Sequence, residues 1–313
     1  MINTKKQIFI ALIYFLIAAF LGIFLRLFPV TNVSATYKYI IHTHSHIALL
    51  GWVYIGLTTL IFHLFIDKKI TKKYSILFWC TQITLLGMLF SFPITGYALF
   101  SIVFSTLFLF CSYWFFALFK KHNTLQRESY SYKFINTSLL LMVISSIGPW
   151  AIGVIMNTLR STSHWYKNAI YFYLHFQYNG WFIFCLLGLF IYLLEKNKIA
   201  ISKNKLSSFY KLMILSCCLT LFLSFLWIKP SPFIYGLAII GVVLQLVALL
   251  KFHQIIKSTK TELKKLLKPY ILFLLKFVYV LFIIKIILQL TTAIPYFAEL
   301  ASQITNFVIG YYT

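Results

Sequence analysis

The sequence predicts an all-α, polytopic transmembrane helical bundle of about nine helices with an incomplete tenth, on three observations. Hydrophobic residues fill 61% of the 313 positions and charged residues only 11%, with a mean hydropathy of +0.88. Soluble domains are far less apolar. Apolar runs of about 20 residues, the length that crosses a bilayer's hydrocarbon core, recur along the chain. Lysine and arginine gather in every second connection between those runs, as the positive-inside bias requires. The whole of 1–313 reads as a single integral membrane domain.

The runs follow in order. Lys5 and Lys6 precede the first, 8–30. It is long enough to span and lacks a small-residue cleavage pattern, so it reads as a helix and not a signal peptide. The second, 39–66, leads into Lys68, Lys69, Lys72 and Lys73. Runs 75–96 and 98–119 are followed by Lys120, Lys121, Arg127 and Lys133. Runs 134–156 and 168–194 lead to Lys196, Lys198, Lys203 and Lys205. Runs 207–228 and 232–252 lead to Lys257, Lys260, Lys264, Lys265 and Lys268, and 269–291 closes the series. The other connections hold only Lys38, Arg160, Lys167 and Lys229. The basic side is expected to be cytoplasmic, and the N-terminus with it. After Thr291 come Pro295 and Glu299, and the chain stops at Thr313 as a tenth run, Phe307 to Tyr312, begins. That end reads as a fragment or a diverged terminus. The Lys-, Ile-, Phe- and Asn-rich usage suits an AT-rich bacterial genome, so a bacterial inner membrane is the expected location.

Several function classes drop out. The net charge of +23 follows topology, so no nucleic-acid partner is expected. Cys80, Cys111, Cys185, Cys217 and Cys218 lie in apolar runs as small hydrophobes, without a disulfide framework. Asp67, Glu128, Glu195, Glu262 and Glu299 lie in loops or at membrane ends, so no carboxylate pair or proton relay is read. No P-loop, GxGxxG, GxSxG or HExxH pattern occurs, and no internal repeat is read at any period. The 21 Tyr and 33 Phe fill the core and the interfacial belts. Pro93, Pro149, Pro230 and Pro232 fall near helix ends.

The histidines carry most of the remaining information. His63, His122, His164 and His253 sit at helix ends or in a loop and read as interfacial. The stretch Ile41-His42-Thr43-His44-Ser45-His46 leads into Leu50-Gly51-Trp52 in the second helix. At 100° per residue His42 and His46 share a face, and His44 points about 160° from their midline. His175 precedes Gln177, Tyr178, Asn179, Gly180 and Trp181 in the sixth helix, at the depth expected for His46. A neutral imidazole nitrogen binds iron, copper or zinc and is oriented through its other nitrogen, for which Thr43, Ser45, Gln177, Tyr178 and Asn179 are expected partners. His42, His44, His46 and His175 are therefore the candidate metal and cofactor ligands. The alternative is that they bond between helices or line a wet cavity.

The run His42, His44, His46, Gly51, Trp52 resembles the second helix of subunit I in the heme-copper oxidase superfamily, which includes nitric oxide reductases and the related NnrS proteins. The resemblance covers about a dozen residues and, loosely, the first six helices. It implies a low-spin heme held by His44 or His46, with His42 as third choice. The superfamily pattern departs elsewhere. His175 is followed by Phe176-Gln177 where Pro-Glu is expected, the seventh helix has no adjacent His-His pair, and no tenth-helix His-x-His follows. The full dioxygen site is absent, and a degenerate or accessory member is the reading.

Among cations inside the runs, Arg26 and Lys211 reach an interface, Lys276 has no nameable partner, and Lys285 lies at the level where heme propionates need a cation or against helix carbonyls. Two readings follow. One is a heme- or copper-binding protein for electron transfer, respiratory gas handling or metal delivery, with a respiratory-chain redox partner. The other is a metal- or proton-linked transporter or channel without heme, or an accessory subunit of a respiratory complex. The lipid bilayer is a partner in each, and oligomeric state is not readable.

Overall fold

The computed structural model describes residues 3–294, 296 and 297. Among them, nine helices are long and apolar enough to cross a membrane. They are α1 (Thr4–Leu27), α2 (Tyr37–Phe65), α3 (Lys68–Thr95), α4 (Leu99–His122), α5 (Tyr130–Thr158), α6 (His164–Lys196), α7 (Lys203–Ile228), α8 (Pro232–Leu266) and α9 (Pro269–Thr291). No β-strand occurs among the described residues, and the protein is an all-α multi-pass membrane bundle. The tenth run, Phe307 to Tyr312, lies outside the described residues, as do Pro295 and Glu299.

Helix starts are chemically marked. The Asn3 side-chain oxygen accepts from Lys5 N, Ser129 Oγ from Tyr132 N, and Ser163 Oγ from Trp165 N, each supplying a partner for an amide that the helix leaves orphaned. Pro232 and Pro269 begin α8 and α9, where a missing N–H costs nothing. The boundaries match the apolar runs closely except in α3, which begins at Lys68 and not 75, and in α8, which continues past 252 to Leu266. The charged stretch there is rich in Lys, Glu and Leu, all good helix formers, and no breaker comes before Pro269. Buried hydroxyls turn back on their own helices: Thr43, Thr58, Thr81 and Thr220 donate to carbonyls four residues earlier, at 2.7–2.8 Å. That satisfies them without water. Phe9, Phe90, Phe100, Leu250 and Phe273 are among the apolar side chains left exposed, as a lipid-facing surface requires.

The chain divides into two compact units, one through Leu125 and one from Gln126. In the first, α1 packs along α2, the N-terminal half of α2 packs on α3, and α3 and α4 form an antiparallel pair. Phe62 stacks on Tyr74 at 3.7 Å in its core. In the second, α5 packs along α6, the start of α6 packs on the end of α7, α7 pairs with α8, and α9 lies on α8. Phe134, Phe184, Phe209 and Phe252 fill its core, with Phe209 and Phe252 stacked at 5.2 Å.

The same order of elements thus occurs twice, although no repeat is legible in the sequence. The helices α2 and α6 both pass from α-helix into a π-helical segment at a histidine, over Ile47–Tyr54 and Phe176–Phe182. Both segments read His-x4-Gly-Trp: His46, Gly51, Trp52 and His175, Gly180, Trp181. A Cβ on Gly51 would lie 2.8 Å from the Tyr14 side chain of α1, and one on Gly180 would lie 2.8 Å from the Leu141 side chain of α5. In each unit the first helix rests against that glycine. Such small-residue contacts hold membrane helices together where lipid gives no hydrophobic drive.

Gly51→Val and Gly180→Val are each expected to destabilise the protein by about 1–3 kcal/mol through overpacking, read as a lower thermal midpoint in detergent. Gly56→Ala, with nothing within 4 Å of the added carbon, is the control and is expected to leave the midpoint unchanged or raised. Equal midpoints for all three variants would contradict the close-approach account.

Candidate functional site

The three imidazoles of α2 separate as the helical period predicts. His44 lies on the α1 side, where its Nδ1–H donates to the Ala18 carbonyl at 2.9 Å. Gly22 leaves room for the ring, since a Cβ there would sit 3.2 Å from His44 Cε1. His42 and His46 face the end of α3 and the turn after it. The His46 ring lies 4.6 Å from Phe92 and 6.0 Å from Tyr97, and the His42 ring lies 4.7 Å from Tyr97. His46 Nδ1–H donates to the His42 carbonyl at 2.9 Å.

A carbonyl oxygen only accepts, so these contacts fix the proton of neutral His44 and His46 on Nδ1. Their Nε2 atoms keep a lone pair. This is how ligand imidazoles are oriented, through the nitrogen that does not bind the metal. His42 Nε2 is buried with no hydrogen-bond partner in the structure. The expected hydroxyl partners are occupied elsewhere: Thr43 donates to Tyr39 O at 2.8 Å and Ser45 to His42 O at 3.0 Å.

His175, in the other unit, is held at both nitrogens. Nε2–H donates to the Cys217 carbonyl at 2.8 Å, and Nδ1 accepts from Asn179 Nδ2 at 3.3 Å. To ligate a metal it would have to give up one of these bonds. Gln177 Nε2 donates to Ser145 Oγ at 2.8 Å, which ties the π-helical segment of α6 to the break in α5 between Tyr130–Ser145 and Ile147–Thr158. Among the described residues no three His, Cys, Asp or Glu side chains gather as a group that could hold a metal ion.

The Asn179 bond opens onto a polar cluster inside the second unit. Lys285 Nζ donates to Asn179 Oδ1, and to Gln289 Oε1 at 2.8 Å. Gln245 Nε2 donates to the same Gln289 oxygen at 3.3 Å, and Gln245 Oε1 is buried without a partner. His175, Asn179, Gln245 and Gln289 are 1–5% exposed. Lys285 therefore ends on side-chain amide oxygens, and the sequence reading that placed it near propionates or helix carbonyls did not foresee this. Gln245 and Gln289 escaped notice because a lone glutamine in an apolar run carries no pattern. The one available signal was the i, i+4 spacing of Lys285 and Gln289.

The other cations and histidines have structural settings. Lys276 lines a cavity of about 640 Å³ between α6, α8 and α9, with Lys257, Lys260 and Lys264. His253 Nδ1 bonds the Tyr279 hydroxyl at 2.9 Å on its wall, and His63 Nδ1 bonds Thr4 Oγ1 at 3.2 Å. His164 lies edge-on to Trp227. Glu195 accepts from Tyr130 N at 3.0 Å and from Ser131 Oγ, so its carboxylate caps α5.

Compared with protein-family models, curated proteins and solved structures, the chain matches none.

Asn179→Leu removes one bond from His175 and one from Lys285 and leaves a buried ammonium under-solvated. It is expected to cost about 2–5 kcal/mol in thermal or denaturant unfolding in detergent. Adding Lys285→Met should recover a large part of that loss; strictly additive losses would show that the two side chains do not act as a unit.

Proposed function

We propose that this chain is a divergent heme-copper-oxidase-like membrane protein that binds heme or copper through the imidazoles of α2, in electron transfer, respiratory gas handling or metal delivery. The observation that carries the reading is the state of His44 and His46. Each commits Nδ1–H to a backbone carbonyl and keeps Nε2 open, while His42 holds a buried Nε2 with no partner. Half-burying three imidazoles in one helix with Nε2 left open on each is costly, and a metal would use those nitrogens.

Heme is the first expectation, because an axial ligand needs a single open imidazole nitrogen and the local resemblance points to helix two. His46 is the preferred ligand. It lies against the Phe92 and Tyr97 rings, which offer apolar walls to a planar macrocycle. Copper would draw on His42 and His46 together, since they share a face. A bound heme supplies one-electron redox chemistry. The work of the chain is to hold the imidazoles neutral and in a fixed tautomer and to keep water from them. The lysine pattern supports a cytoplasmic N-terminus, with these histidines toward the outer face of a bacterial inner membrane.

The deciding measurement is a reduced-minus-oxidised visible spectrum of the detergent-purified protein, with iron, copper and zinc quantified on the same sample. A heme signal weakened by His46→Ala and unaffected by His175→Ala is expected. Loss of the signal in His44→Ala alone would move the ligand to the α1 face. Colourless, metal-free protein from heme-replete cells would sink the reading and leave the transporter or accessory-subunit alternative.

A further inference from the structure

The cluster around Lys285 is not used by that reading, and it holds an ammonium inside a membrane bundle that bonds no carboxylate among the described residues. Among the described residues Glu195 is bound at the start of α5, Glu262 pairs with Lys265 at 3.0 Å, and Asp67 accepts from Lys69 N. What surrounds the amine instead is neutral oxygen: Asn179 Oδ1 from α6 and Gln289 Oε1 from α9, with Gln245 from α8 joined to them through Gln289. A cation inside a membrane bundle that meets only neutral oxygens among the described residues is costly and marks a candidate working site.

The chemistry of the surround selects the ligand. The oxygens facing the amine are acceptors, so a bound anion would meet their negative ends. The two amide oxygens on the amine, with Gln245 beside them, cannot offset a divalent ion, whose sites are built from carboxylates. They do suit a hard monovalent cation, and Gln245 Oε1, 95% buried by its 5% exposure and unpartnered, is one acceptor more than the ammonium uses. An ammonium in a cage of carbonyl oxygens is itself a tethered monovalent cation.

We propose that Lys285, with the side-chain oxygens of Asn179, Gln245 and Gln289, forms a site at which a proton and a monovalent alkali cation exchange. The ammonium releases one proton and becomes a neutral amine, and one alkali cation takes its place among the same oxygens. One positive charge leaves as another enters, so the buried charge is unchanged. The titratable groups facing the site are His175 on α6, bonded to Asn179, and Cys217 on α7, whose carbonyl holds His175. From α8 the facing group is the uncharged Gln245. Along α9, Tyr279 lies toward the start of the helix, bonded to His253 of α8. The proposal does not depend on any metal bound by α2.

The test uses the full-length protein in detergent. Its thermal midpoint is compared in NaCl, LiCl or KCl against choline chloride at equal ionic strength, from about pH 6.5 to about pH 10.5, a range that reaches the ordinary titration of an amine. At least one alkali cation is expected to raise the midpoint, with an apparent affinity that weakens about tenfold per pH unit toward acid, as one-for-one competition requires. Adding that salt to weakly buffered protein should release protons, and choline should not. Gln245→Leu, which loses the unpartnered oxygen and the single long bond from Nε2 to Gln289, should fold and lose the cation effect. Lys285→Met should keep cation binding and lose its pH dependence; if that variant does not fold, Gln245→Leu and the proton release decide. Equal midpoints in alkali and choline salts at every pH would overturn the proposal. So would cation binding without proton release, or an unchanged pH dependence in Lys285→Met.

Discussion

Everything in this bundle answers to the absence of water in the hydrocarbon layer, which obliges each polar group to find its partner within the protein. Helices meet that demand for the backbone. The side chains meet it in two ways. Serine and threonine hydroxyls bond back to their own helices and cost the fold little. Imidazole, amide and amine groups cannot all do so, and they collect where helices face one another. Buried polar atoms left open, such as His42 Nε2 and Gln245 Oε1 among several others, are the exceptions to that demand.

The two polar regions differ in how that demand is met. In α2 the imidazoles draw on backbone carbonyls alone, which leaves one nitrogen of His44 and of His46 open. In α6 the matching histidine has a side-chain neighbour, Asn179, that closes its second nitrogen and passes the connection on to Lys285. The corresponding position of the first unit is Leu50, which continues no such chain. One architecture thus presents an open imidazole in one unit and a sealed, extended network in the other.

Much of this was legible in the sequence. Run length and lysine placement mark out all nine spans, and the helical period separates His44 from His42 and His46. What was not legible has physical causes. The extension of α8 was hidden because hydropathy reports lipid contact and not helicity. The repeat was hidden because its signature is a histidine, a glycine and a tryptophan at fixed spacing within apolar runs of otherwise different composition. The Lys285 cluster joins residues 179, 245, 285 and 289 through tertiary packing, to which local sequence is blind. His175 matched the expected pattern of a ligand, and only the Cys217 carbonyl and Asn179 reveal that its nitrogens are taken.

The length of α8 has a mechanical consequence. Its 35 residues rise about 52 Å at 1.5 Å each, against a hydrocarbon core of about 30 Å. Even with tilt, its last turns must stand clear of the acyl chains, and those turns carry Lys257, Lys260, Lys264 and Lys265. Each lysine near an anionic headgroup layer contributes about 1 kcal/mol of attraction. The protruding end therefore acts as a depth stop: pushing it inward would strip water from four ammonium groups, and pulling it outward would expose the Phe252 end of the core.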